Sequence, residues 1–201
     1  SNCTKPESIK SILNKPYGNY HDIPALISPN ALPFLEEMAQ KSVSITKQRF
    51  GNTMQIFIPM YISNVCYNNC TYCGFSITNK YKRITLTEKE IETECHLLQK
   101  KGFQHILILT GEAPGTVDVP FIIKAVKIAS RYFSSVGIEI QPLNQEEYKE
   151  IINAGCDSLT MYQETYHPEY YKKYHISGKK KHYKKRLNTP DEGGKAGFHK
   201  M

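Results

Sequence analysis

The segment Cys66-Tyr67-Asn68-Asn69-Cys70-Thr71-Tyr72-Cys73-Gly74-Phe75 sets three thiols at C-x3-C-x-aromatic-C spacing. Thiolates this close can share one metal centre and cannot all pair with each other as disulfides. Soft thiolate donors suit zinc, copper(I) or an iron–sulfur cluster. A structural zinc site wants four ligands, usually as two separated pairs, and the chain has no second CxxC pair. A cubane cluster normally takes four thiolates, so three would leave one iron open to a substrate or cofactor. Gly74 follows the third cysteine and lets backbone approach such a centre closely.

Strands and helices must deliver those thiols. The apolar run Ile56–Ile62 reads as a strand, about Met54–Ile62, that feeds directly into the cysteine loop. Upstream, a short helix is expected near Ile9–Leu13, followed by irregular structure. Leu32, Leu35, Met38, Ala39 and Val43 have helical spacing over 30–47, with Ser28 or Asn30 as cap. Downstream, Thr87 and Glu90 form a capping-box pair for a helix over Glu88–Lys101, closed by Gly102. His105–Leu109 is a continuous apolar strand of the kind covered on both faces. The pattern repeats: Asp118 caps a helix over Val119–Phe133, Val136–Gln141 is a strand, and Asn144 with Glu147 starts a helix ending near Gly155. Cys156–Tyr162 is a fourth strand, then come helices over Pro168–His175, Lys180–Leu187 and from Thr189-Pro190 to Gly197. Phe198–Met201 would start a fifth strand. Strands alternating with helices read as an α/β fold of parallel βαβ units. Cys95 and Cys156 fall at core positions, most of the fourteen tyrosines fall at core spacing, and His167, His175 and His182 read as surface residues.

In parallel α/β folds, sites gather at the carboxyl ends of strands. Every candidate obeys that rule. The thiols follow the first strand, Thr110-Gly111-Glu112 the second, Gln141-Pro142-Leu143 the third, and Gln163-Glu164 the fourth. Strand-end carbonyls and the Glu112 carboxylate can bind an ammonium, while Gly111 lets a ligand close in.

The cysteine motif resembles that of the radical S-adenosylmethionine (SAM) superfamily. The longer string Tyr61–Lys80 resembles the 2-iminoacetate synthase family, the tyrosine lyases of thiazole (thiamine) biosynthesis. Further matches in order are Ser28-Pro29 with Leu35–Ala39, Thr110–Glu112, Gln141–Leu143, Tyr162–Tyr166, Arg186-Leu187, Thr189–Asp191 and Ala196-Gly197. The resemblance implies a [4Fe-4S] cluster on Cys66, Cys70 and Cys73, with SAM on its open iron. It implies that Thr110, Gly111 and Glu112 face the amino group of SAM, with Gln141 beside them. Tyr72 packs near the adenine, Glu164 accepts from the ribose hydroxyls, and Arg186 pairs with the SAM carboxylate. Cleavage of the Cα–Cβ bond of L-tyrosine to 2-iminoacetate and p-cresol follows, with an electron donor such as flavodoxin or ferredoxin and the thiazole synthase as partners. The fold implied is a partial parallel (βα) barrel: residues 1–50 a helical extension, 51–201 the first part of a (βα)6 barrel truncated after strand four. The isolated chain is then expected to be inactive as a lyase. The alternatives are the tyrosine lyase of hydrogenase maturation and a non-catalytic iron–sulfur or zinc module; Cys73–Lys80 and Gln141–Leu143 favour the thiazole enzyme.

Composition narrows the rest. The 201 residues are 40% hydrophobic, enough for a core, and no run approaches the about eighteen apolar residues of a membrane span. Ser1–Glu7 has no apolar signal region. A clustered thiol trio in a chain of this size suits a reducing cytoplasm. The net charge of +7 gathers in Lys172–Arg186, read as solvated surface with an anion contact and not as a nucleic-acid interface. No Ser-His-Asp arrangement or GxxxxGK[ST] phosphate loop is present.

Overall fold

A computed structural model describes residues 5–201. Ser1–Thr4, part of the segment read as lacking a signal, lie outside the described residues. The chain divides into two compact units, one up to Met54 and one from Gln55 to Met201.

The first unit holds helices α1 (Pro6–Asn14), α2 (Ile23–Leu26) and α3 (Leu35–Phe50), with a 3-10 turn over Pro29–Phe34. Ile9, Ala25, Ala31 and Phe34 form its small core. The expected helix over 30–47 is thus split. Pro33 belongs to the 3-10 turn, α3 begins only at Leu35, and no side-chain cap bond starts it. Its apolar spacing marks only a weak core face: Met38 packs partly buried against that core, and α3 buries no residue fully.

The second unit carries the sheet. Its elements are β1 (Phe57–Ser63), β2 (Asn69–Cys70), α4 (Glu88–Lys100), β3 (His105–Thr110), α5 (Val119–Ala129), β4 (Ser135–Glu139), α6 (Gln145–Asn153) and β5 (Ser158–Leu159). These are followed by α7 (Pro168–Tyr174), β6 (His175–Ser177), α8 (Tyr183–Leu187) and α9 (Thr189–Ala196). Strands β1, β3, β4 and β5 pair in parallel in that order. Thr87 and Asn144 make the capping boxes that start α4 and α6, and Asp118 caps α5. Each helix turns its apolar stripe onto the sheet. Ile91 and Cys95 from α4, Ile122, Val126 and Ala129 from α5, and Tyr148 and Ile151 from α6 join Ile62, Ile106, Ile108, Val136, Ile138 and Leu159 in one core.

Three details differ from the sequence reading. The fourth strand is only Ser158–Leu159, although Thr160 N still donates to the Ile138 carbonyl at 2.8 Å. Thr189, expected with Pro190 to cap and open α9, is instead its first residue, and Asn188 takes the cap position. The tyrosines are mostly at the surface: Tyr148 and Tyr171 are fully buried, whereas Tyr17, Tyr20, Tyr61, Tyr67, Tyr162, Tyr166 and Tyr170 are exposed. A tyrosine can satisfy helical spacing and still keep its hydroxyl in water, so periodicity overstates its burial. At the far end, Lys200 bridges Ser158 in parallel, and its carbonyl accepts from Leu159 N at 3.0 Å. Among the described residues no helix is long and apolar enough to cross a membrane.

Candidate cluster and cofactor site

Strand β1 ends in an irregular step between Tyr61 and Ser63, which turns the chain out of the ladder and into the thiol loop. The loop is held from several sides. Arg83 donates to the carbonyls of Asn64, Phe75 and Ser76 at 2.8, 3.0 and 2.7 Å. Asn79 donates to the carbonyls of Cys73 and Gly74. Strand β2, which contains Cys70, pairs antiparallel with β6 over one hundred residues later in sequence. Nothing in the local pattern announced that second sheet.

The strap from α7 to α8 completes the clamp. His175, read as a surface residue, is fully buried. It stacks on Tyr171 with ring centroids 3.9 Å apart, and its Nδ1 lies 2.7 Å from the Tyr171 carbonyl. A carbonyl can only accept, so Nδ1 carries the proton and the neutral ring's Nε2 accepts from the Tyr72 hydroxyl at 2.7 Å. Burial holds the His175 pKa below its ordinary value, consistent with that neutral form. Gly178 passes so close to the loop that a Cβ there would stand 2.2 Å from Asn68 Oδ1, and its φ of +90° favours glycine as well.

Cys66, Cys70 and Cys73 all line one cavity of about 330 Å³. Facing them are Thr110, Gly111 and Glu112 from the end of β3, Glu139 and Ile140 from the end of β4, and Glu164, Lys180 and Arg186. Gly111 is required for this approach: a Cβ would lie 2.1 Å from the Val65 carbonyl oxygen. Glu112 and Arg186 form a buried ion pair at 2.7 Å, with side chains 9% and 6% exposed. Arg186 Nε also donates to the Tyr162 carbonyl at 2.6 Å. Arg186 is therefore no solvated helix residue, unlike its lysine neighbours. Lys180 reaches Glu164 at 2.8 Å and lies 5.6 Å over the Tyr72 ring. Burial alone would raise the Glu164 pKa; the hydrogen bond and charge of Lys180 outweigh it, and the carboxyl is held below its usual range. Glu164 has φ of +69°, the one positive φ among the described non-glycine residues. Burial pushes the Cys70 thiol up to about 11 and raises the Glu139 carboxyl.

The structure brings together nine of the ten sequence candidates: the three cysteines, Tyr72, Thr110, Gly111, Glu112, Glu164 and Arg186. Gln141 stands apart. Its Nε2 donates to the Val117 carbonyl at 3.1 Å, and it lines a second cavity of about 220 Å³ beyond Glu112 and Arg186. Sequence reasoning missed Asn68, Glu139, Lys180 and His175. Glu139 carried a signal, an acid inside the apolar run Val136–Ile140. The other three depend on contacts across long stretches of chain.

Two observations test whether a cluster fits. No three His, Cys, Asp or Glu side chains among the described residues are grouped tightly enough for a single metal ion. The thiols nevertheless share one cavity. Three thiols on one cavity can give one thiolate to each of three irons of a cubane and leave the fourth iron open to a cofactor. The buried Thr110 hydroxyl lining the same cavity has no protein partner, as expected of a group that meets a polar ligand.

Residues 60–200 match the model of the radical SAM superfamily. The chain belongs to that superfamily. Radical SAM proteins use a [4Fe-4S] cluster and SAM, and the thiol cavity fits both. The chain is 44% identical over 193 residues to 2-iminoacetate synthase of Salmonella typhimurium (strain LT2) and 42% identical to that of Escherichia coli (strain K12). Each alignment covers 96% of this chain and 51% of the relative, so the chain spans about half the length of these curated relatives. A crystal structure of HydG, a maturase of the [FeFe]-hydrogenase, superposes with TM-score 0.79 at 28% identity, covering 96% of this chain and 41% of HydG. The parallel four-stranded sheet is thus that of a radical SAM partial barrel.

Proposed function

We propose that this chain carries the cluster- and SAM-binding part of a 2-iminoacetate synthase, a radical SAM carbon–carbon lyase acting on L-tyrosine. The observation that carries the reading is the meeting of three thiols with Thr110–Glu112, Glu164 and Arg186 around one cavity. Residues 1–50 are then a helical extension and 51–201 the first part of the barrel. When bound on Cys66, Cys70 and Cys73, a cluster with SAM would supply, given an electron from an external carrier, the radical chemistry for cleaving the Cα–Cβ bond of L-tyrosine to 2-iminoacetate and p-cresol.

The protein's part is binding, orientation and electrostatics. Cys66, Cys70 and Cys73 give one thiolate each. Assembly must take the proton that burial holds on Cys70. Thr110, Gly111 and the Glu112 carboxylate accept the ammonium of SAM. Arg186 spends Nε on the Tyr162 carbonyl and Nη1 on Glu112, leaving Nη2 for a carboxylate. Glu164, kept ionised by Lys180, accepts from ribose hydroxyls. Tyr72 is fixed by His175 beside the adenine. Gln141 acts from the neighbouring cavity as support to the Val117 turn. The clustered free thiols support a reducing cytoplasmic setting. An electron carrier of the flavodoxin or ferredoxin class and the thiazole synthase are the partners proposed.

The test has two levels. Anaerobic reconstitution of the chain is expected to give about four irons and matching acid-labile sulfide, with an electron paramagnetic resonance (EPR) spectrum altered by SAM. One zinc and no sulfide would overturn the site. For the whole enzyme, L-tyrosine with SAM and reductant is expected to yield p-cresol together with 5′-deoxyadenosine. Deoxyadenosine formed with a different amino acid, and none with tyrosine, would overturn the substrate. The 44% identity to 2-iminoacetate synthase, against 28% to HydG, favours the thiazole enzyme over the hydrogenase maturase.

A further inference from the structure

Asn68 lies between the first two cysteines and is 2% exposed, yet every polar atom of its side chain is engaged. Its Oδ1 accepts from the backbone N–H of Lys180 at 2.9 Å. Its Nδ2 donates to Glu112 Oε2 at 3.0 Å and stands 3.6 Å from Cys66 Sγ. These partners settle which end of the amide is which. A backbone N–H can only donate, so it must face the oxygen; a carboxylate can only accept, so it must face the nitrogen. One Nδ2 hydrogen serves Glu112, and the other is left for the thiol sulfur. The residue cannot turn away, because Gly178 closes against its Oδ1 and Cα, and the Asn68 carbonyl accepts from Ile77 N at 2.9 Å.

We propose that Asn68 is a positioning residue for the thiol centre, whose amide hydrogen-bonds the Cys66 sulfur and raises the one-electron reduction potential of a cluster held there. The inference rests on the reading of the thiols as cluster ligands. Its physics is general. Hydrogen bonds to ligating sulfur draw negative charge away from the cluster and favour the reduced, more negative state. The nearby Glu112 charge would act in the opposite sense, but Arg186 neutralises it at 2.7 Å. The same amide thereby links the cluster ligand, the buried ion pair and the strap at Lys180, so that movement of any one is felt at Cys66.

The test compares the reconstituted chain with its Asn68→Leu variant, which keeps the bulk and removes the donor. Iron and sulfide are counted first, and the reduced fraction is then followed by EPR during a dithionite titration. The variant is expected to show an about tenfold lower ratio of reduced to oxidised cluster at a fixed potential, about 59 mV for a one-electron couple. An unchanged potential in a fully loaded variant overturns the inference and leaves the cluster assignment standing. A wild-type chain that takes up no cluster overturns both. The second measurement needs no variant. In wild-type protein grown with side-chain-labelled ¹⁵N-asparagine, pulsed EPR of the reduced cluster is expected to show a coupled ¹⁵N, and its absence overturns the inference even where the variant fails to load.

Discussion

Cys70 and Cys95 are almost equally hidden, 4% and 0% exposed, and burial pushes both thiols up to about 11. Neither exposure nor proton affinity separates the cysteine that we assign to metal from the one that only packs. What separates them is placement. Cys95 lies on the apolar stripe of α4 in the same core cluster as Ile62, Ile91 and Ile106. Cys70 sits on a two-residue strand beyond the carboxyl end of β1, facing a cavity that holds two more thiols and a set of opposed charges. The core has only shape to satisfy. The site region has lone pairs and charges to satisfy, and does so with contacts that span much of the chain.

The contrast breaks first at the thiols. Replacing Cys66, Cys70 or Cys73 by Ala is expected to abolish the reconstituted cluster, read as loss of its visible absorption and acid-labile sulfide. Cys95→Ala and Cys156→Ala are expected to load normally. A full cluster on the Cys70→Ala chain would erase the distinction. The second break is electrostatic. Arg186→Leu strands the Glu112 carboxylate in a buried setting and is expected to cost about 3–5 kcal/mol in urea unfolding. The double variant with Glu112→Leu is expected to recover most of that, because it removes the stranded charge.

Smaller effects sharpen the core side. Cys156, like Cys95, has its thiol pushed up by burial, to about 12 from an ordinary 9.0. Above pH 9 the unfolded chain releases those protons and the folded chain keeps them. Stability is therefore complete below pH 9 and falls as pH rises toward 12, through thermal melts at stepped pH. Cys156→Ala is expected to flatten that decline while costing about 1 kcal/mol at neutral pH for the small cavity it leaves.

What was legible in the sequence follows the same division. Thr87 with Glu90 and Asn144 with Glu147 announce their helices because a capping box is a contact three residues long. The cysteine spacing and the strand-end rule located the cavity because parallel topology forces those ends together. The contacts that hold the cavity in shape were not legible. Asn68 to Lys180, Tyr72 to His175 and Glu112 to Arg186 join residues far apart in sequence, through side chains that carry no periodic signal. His175 read as surface because it has no metal-ligand spacing to any cysteine, whereas the β2–β6 pairing and the stack on Tyr171 bury it. Glu139 could have been found, since a lone acid within an apolar strand needs a reason to be there.

Glu164 holds its carboxylate on a left-handed backbone, a conformation that costs a side-chain-bearing residue on the order of 1 kcal/mol. A position selected for folding alone would accept glycine or asparagine there. The backbone strain and the Lys180 ion pair therefore pull on residue 164 in opposite directions, and a survey of variants at this one codon would expose the trade directly. Glu164→Gly is expected to relieve the backbone strain but lose the Lys180 ion pair, so that the melting temperature changes little while SAM retention weakens, whereas Glu164→Gln should keep the strain and lose only the charge.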